Sequence, residues 1–116
     1  MKIRRGDILL CDLEKQNDSS VMYGKRPVVV VSNDKVNRFS KVISVVPLTT
    51  KKKRKLPTHV EINGHGLKHS SVALIEQVMS VDVKNISEKF GSIRGANELT
   101  EIDKCLNIQF GGTEVA

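Results

Sequence analysis

Four consecutive valines, Val28 to Val31, lie between Pro27 and Ser32 and constrain this chain more than any other stretch. β-Branched side chains are stiff and pack well on a pleated surface, so the run predicts a strand buried on both faces. Pro27 cannot donate a ladder hydrogen bond and is expected at the strand's first position. Arg26 then becomes the last residue of a loop, set against the rim of a core strand. A cation on a rigid rim beside a flexible loop is a way to present charge to a polyanion. An isolated arginine is most often an ordinary surface residue, so the rest of the chain has to supply the reason for singling it out.

Around that strand the sequence reads as short strands joined by long loops. Asp7 to Leu13 is an apolar strand, followed by a polar loop of about a dozen residues, Glu14 to Lys25. Loops of that length without structure of their own are often functional. Asn33-Asp34 can cap a short helical turn reaching about Phe39, and Lys41 to Leu48 is a further strand with Pro47 near its end. Thr58 to Ile62 alternates as a strand should, Asn63 to Gly66 is a turn, and Ser70 to Ile75 is a strand continuing towards Val78. The pattern over Val81 to Ile86 is ambiguous, and Lys89 to Ile93 reads as a last short strand. Asn97 is expected to cap a helix running to about Phe110, with Leu99, Ile102, Leu106 and Phe110 on one face and Cys105 beside them. Short strands without crossover helices, plus one terminal helix, predict a mainly β fold, a small bent sheet or barrel with a C-terminal helix.

A chain of 116 residues is expected to form one domain, residues 1–116. Its core is expected to be aliphatic, because aromatic residues make up only 3%. No apolar run reaches membrane-spanning length, and the basic start Met1 to Arg5 is followed at once by Gly6 and Asp7 rather than by an apolar segment. The reading is a cytoplasmic protein with no membrane partner. Cys11 and Cys105 have no CxxC spacing, so they predict buried thiols rather than a zinc site or a disulfide framework.

The formal charge of +6 points towards an anionic partner, of which nucleic acid is the commonest. Five of the nineteen basic residues form one run, Lys51-Lys52-Lys53-Arg54-Lys55. Such a run repels itself, and between two strands it predicts a basic loop rather than a tail.

Several motifs in order carry a resemblance: Arg5-Gly6-Asp7-Ile8, Gly24-x-Arg26-Pro27-Val28-Val29-Val30, Asn33-Asp34, Pro47-Leu48-Thr49-Thr50 and Leu56-Pro57-Thr58-His59-Val60. Leu74-Ile75-Glu76-Gln77 and the helix around Ile102-Asp103-Lys104 continue it. Over roughly residues 3 to 110 the chain resembles the MazF/PemK family of toxin endoribonucleases. That resemblance implies a small SH3-like barrel of the CcdB/Kid/MazF type, a homodimer, and cleavage of single-stranded RNA, including mRNA, without a metal or other cofactor. It also implies a cognate MazE-like antitoxin that blocks the site, with operator DNA contacted only through that antitoxin.

Arg26 and Thr49 match the family's catalytic pair. RNA can be cut by its own 2′-hydroxyl attacking the adjacent phosphorus. The catalyst must then stabilise an extra-charged phosphorane and manage two protons. A guanidinium matches phosphate oxygens through its planar fork, and a threonine hydroxyl at a strand end can donate to the same oxygens. An arginine, which keeps its proton in proteins, is a poor general base, although the family is usually described with this arginine in an acid–base role. Charge stabilisation is the first role expected of Arg26 and proton donation to the leaving 5′-oxygen the second. The RNA-binding residues expected are Ser19, Ser20, Tyr23 and Lys25 from the first loop, Lys51, Lys52, Lys53 and Leu56 from the basic loop, and Gln77.

Asn17 to Tyr23 departs from the family, which often carries a glutamate or glutamine with glycines there; how this loop gates the site is open. Tyr23 can stack a base or anchor the loop to the barrel, and the anchor is the expectation. His59, His65 and His69 are expected in surface roles, because nothing in their spacing makes an acid–base pair. No Asp/Glu/His cluster has metal-ligand spacing. Two alternatives stay open: a CcdB-like toxin that poisons DNA gyrase, and an RNA-binding module without catalysis.

Overall fold

The structure is a computed structural model that describes residues 1–51 and 56–111. Seven strands form it: β1 (Asp7–Leu13), β2 (Gly24–Val30), β3 (Val42–Thr49), β4 (His59–Ile62), β5 (Ser71–Leu74), β6 (Met79–Asp82) and β7 (Ile86–Ser92). Two helices join them, α1 (Asp34–Phe39) and α2 (Asn97–Gln109). The fold is therefore mainly β with a C-terminal helix. All pairings are antiparallel, in the order β4-β5-β3-β2-β1-β7, with β6 on β3.

The valine run behaves as its stiffness dictates. Val28 and Val30 point into one core with Leu9, Cys11, Ile43 and Val45. Val29 and Val31 point into the other, with Ile8, Val46, Leu48, Ile62 and Ile75. The sheet is thus apolar on both faces. Val28, Val29 and Val30 are wholly buried, and each such side chain contributes about 1.5 kcal/mol or more. Helix α2 covers the second of these cores with Ile102 and Cys105.

β2 starts three residues earlier than its proline suggests. Gly24, Lys25 and Arg26 pair with Leu13, Asp12 and Cys11 of β1, so Arg26 lies within a strand and not at the end of a loop. Pro27 is accommodated because pairing with β3 begins only at Val28, which leaves that side of β2 an edge. Pro47 is tolerated for a related reason. It falls in the gap on β3 between its β6 partners, which end at Val45, and its β5 partners, which begin at Leu48.

Other boundaries shift. The chain after Leu74 leaves the strand for a one-turn 3-10 helix, Ile75–Gln77, closed by the Val78 amide donating to the Ile75 carbonyl at 3.1 Å. The ambiguous Val81 to Ile86 stretch divides into the end of β6, a 3-10 turn over Val83–Asn85 and the start of β7. Ala96 rather than Asn97 is the N-cap of α2, without a side-chain bond. Phe110 follows the last helical turn and stays exposed, so it does not extend the apolar face.

Candidate active site

Register alone brings the two central residues together. The β2–β3 ladder pairs Val30 with Val45, Val29 with Val46 and Val28 with Pro47. Continued by two residues, it sets Arg26 opposite Thr49, on the same face of the sheet, where the two strands have already parted. Arg26 Nε donates to the Tyr23 carbonyl at 2.9 Å, and Nη1 lies 3.5 Å from the Leu48 carbonyl. Among the described residues no carboxylate pairs with this guanidinium. Two neutral carbonyls orient it and leave its charge uncompensated, which suits a group that must receive an anion.

Thr49, the last residue of β3, is buried. Its Oγ1 accepts from the Lys51 amide at 3.2 Å, which leaves the hydroxyl proton available to donate. Cys11, paired with Arg26 across the ladder, adds no nucleophile, because burial, helped by the Asp12 charge, pushes its thiol pKa up.

The one-turn helix Ile75–Gln77 reaches both flanking loops. Gln77 Oε1 accepts from the Met22 amide at 2.8 Å, tying down the loop before β2. Glu76 accepts from Thr58 Oγ1 at 3.1 Å and pairs with His59 Nε2 at 3.0 Å. His59 Nδ1 in turn receives the Leu56 amide at 3.3 Å, which makes the Nε2 nitrogen the protonated one in the neutral ring. His59 is therefore no surface residue; its side chain is only 5% exposed. His65 is likewise engaged, with Glu98 at 2.9 Å. The Glu76–His59 pair was not singled out in the sequence. The signal for it was a polar pair, Glu76-Gln77, placed directly after the apolar strand ending at Leu74-Ile75.

The remaining expected residues divide. Lys51 is exposed beside Thr49, and Leu56 is half-exposed at the far end of the basic loop. Lys52 and Lys53 lie outside the described residues. Ser19 and Ser20 are exposed on the first loop, with Ser19 Oγ accepting from the Val21 amide at 3.0 Å. Lys25 alternates with Arg26 along β2, so its side chain leaves the opposite face of the strand. Tyr23 does not anchor its loop through burial of its side chain: the residue is 47% exposed, with Lys15 Nζ 5.0 Å from the ring centroid. Met22 does so instead, packing on the core beneath.

No three His, Cys, Asp or Glu side chains among the described residues are grouped to hold a metal ion. A cavity of about 800 Å3, lined by Lys2, Arg4, Asp34, Arg38, Phe39 and Arg94 among others, lies beyond the other end of β2 and shares no residue with this site. The chemistry, rather than the volume, marks the Arg26 end.

The fold is a bent antiparallel β-sheet with a C-terminal helix, and it sets Arg26, with no carboxylate partner among the described residues, opposite a strand-end threonine. Residues 4–110 match the family described as PemK-like, MazF-like toxin of type II toxin–antitoxin systems, and the chain belongs to that family. It is a MazF-type endoribonuclease: over 112 residues it is 38% identical to Endoribonuclease MazF of Staphylococcus epidermidis, covering 94% of this chain and 92% of that one. The fold is that of MazF from Deinococcus radiodurans, with a TM-score of 0.82 at 21% identity over 96% of this chain and 98% of the other. A mycobacterial endoribonuclease solved in complex with its cognate antitoxin gives 0.80 at 23% identity over 97% and 99%. The gyrase-poisoning and non-catalytic readings fall away with the endoribonuclease assignment. Among the described residues no helix is long and apolar enough to cross a membrane.

Proposed function

We propose that Arg26 and Thr49 form the centre of a site that cuts single-stranded RNA, mRNA included, through its own 2′-hydroxyl and without a metal. The observation that carries the reading is the Arg26 guanidinium, held by the Tyr23 and Leu48 carbonyls with no carboxylate partner among the described residues. The 2′-oxygen bonds to phosphorus and gives its proton to solvent water, while the bond to the 5′-oxygen breaks and that oxygen takes a proton up. Arg26 neutralises the charge gathering on the non-bridging oxygens, and its second role is to donate towards the leaving oxygen. Thr49 adds a neutral donor. Lys51 to Lys53 hold the flanking phosphates, a contact that sets affinity rather than base choice.

The protein works in the cytoplasm as one domain and as a homodimer, its RNA running along the groove where two copies meet. A MazE-like antitoxin occupies the same site, and operator DNA is reached only through it. A mycobacterial relative of like fold is solved with its cognate antitoxin.

The test is the chemistry of the ends. Cleavage in excess EDTA should leave a 2′,3′-cyclic phosphate and a 5′-hydroxyl, and a 2′-deoxy nucleotide at the cut position should block it. Inhibition by chelator, or a 5′-phosphate on the product, would overturn the reading.

A further inference from the structure

We propose that Gln77 is a positioning residue for cleavage, fixing the Met22-Tyr23 segment and, through it, the Arg26 guanidinium. The inference rests on the reading of Arg26 given above. Gln77 Oε1 receives the Met22 amide at 2.8 Å, and the carbonyl of the following residue, Tyr23, receives Arg26 Nε at 2.9 Å. The two bonds sit on adjacent residues, so a shift at one end moves the other. A backbone N–H needs an acceptor, which places the side-chain oxygen, and not the amide nitrogen, at Met22.

Gln77 can hold because its own support is rigid. Ile75 is wholly buried, and its amide donates to the Thr58 carbonyl at 3.0 Å. Glu76 is fastened to both Thr58 and His59. Beyond the packing of the Met22 side chain on the core, the loop it holds has little else. Between Glu14 and Tyr23, the Gln77–Met22 bond is the one hydrogen bond to a residue outside the β1–β2 hairpin among the described residues. Such segments open at low free-energy cost. Released, the Tyr23 carbonyl no longer fixes Nε, and the planar fork loses its aim. A misplacement of about 1 Å costs up to roughly a hundredfold in rate. Binding, which draws on several phosphate contacts, depends far less on that aim.

The experiment is single-turnover cleavage of a short RNA, with affinity measured separately on its 2′-deoxy analogue. Gln77→Met removes the acceptor at nearly constant length and should lose on the order of tenfold or more in rate, with little change in affinity. Gln77→Asn, whose oxygen falls short of Met22, should lose rate in the same way and serves if the methionine variant does not fold. Gln77→Glu restores an acceptor and should recover most of the rate while its charge weakens binding. In an Arg26→Ala background, Gln77→Met should cost nothing more, because it acts through Arg26. A normal rate for Gln77→Met, an undiminished loss in the Arg26→Ala background, or a changed cut sequence each overturns the proposal. Where Arg26→Ala is inactive and Gln77→Met normal, only the positioning role fails; where Arg26→Ala cleaves normally, the reading of the site fails with it.

Discussion

Gly66 and Gly91 meet backbone against backbone. A Cβ on Gly66 would collide with the Phe90 carbonyl, and one on Gly91 with the His65 carbonyl. The contact docks the turn after β4, one end of the sheet order, onto β7, the other end, and so draws the sheet towards a barrel. Gly66 also has φ +95°, so a substitution there confounds strain with crowding. Gly91→Ala isolates the crowding. It should destabilise by about 2 kcal/mol or more, a fall in Tm of roughly 10 °C for a domain of this size. Thermal unfolding by circular dichroism reads it, and an unchanged Tm would mean that the turn does not dock in solution.

Asp34 supplies a pH-dependent contribution away from the site. The Arg5 backbone amide donates to its carboxylate, Arg94 pairs with it at 2.7 Å, and together they hold its pKa below the usual carboxylate range. A depressed folded pKa stabilises above the unfolded value, and that stability is lost as pH falls through the folded one. Asp34→Asn should therefore lower Tm at neutral pH and approach wild type in strong acid. The gap should stay below about 1 kcal/mol, since the pair is solvent-exposed. A gap that widens on acidification would show that Asp34 is not the group responsible.

The basic run gives a different signature. Each lysine that neutralises a phosphate adds about one to the slope of log affinity against log salt. Lys51, Lys52 and Lys53 changed together to glutamine should therefore flatten the salt dependence of RNA binding and leave the cut sequence as it was. A moved cut sequence would make these residues base readers.

The core was legible because a run such as Val28 to Val31 has one good solution, burial on both faces of a sheet. Arg26 and Thr49 were legible only as members of a motif. What sequence could not supply was their register: β2 begins at Gly24 because Leu13, Asp12 and Cys11 extend the ladder across from it, a long-range pairing that Pro27 hides. The same limit explains His59. A histidine in an alternating strand looks solvent-facing until a glutamate seventeen residues on is folded against it. Phe110 failed through helix length, since α2 ends one residue before it.

The opposition of Arg26 and Thr49 makes the sharpest prediction. If Arg26 stabilises the phosphorane, Arg26→Ala should lose on the order of a hundredfold to a thousandfold in single-turnover rate, while binding to a 2′-deoxy RNA weakens only modestly. Arg26→Lys separates charge from shape. Lysine keeps the cation but cannot bond the Tyr23 carbonyl and present a planar fork to phosphate together, so most activity should still be lost. Thr49→Ala should cost less, because a hydroxyl is a neutral donor and its removal leaves the strand pairing with Val72 in place. If both groups face one transition state, the double variant should fall short of the product of the two single effects. Effects that multiply fully would place Thr49 outside that shared site, and near-normal cleavage by Arg26→Ala would move the chemistry to another part of the barrel.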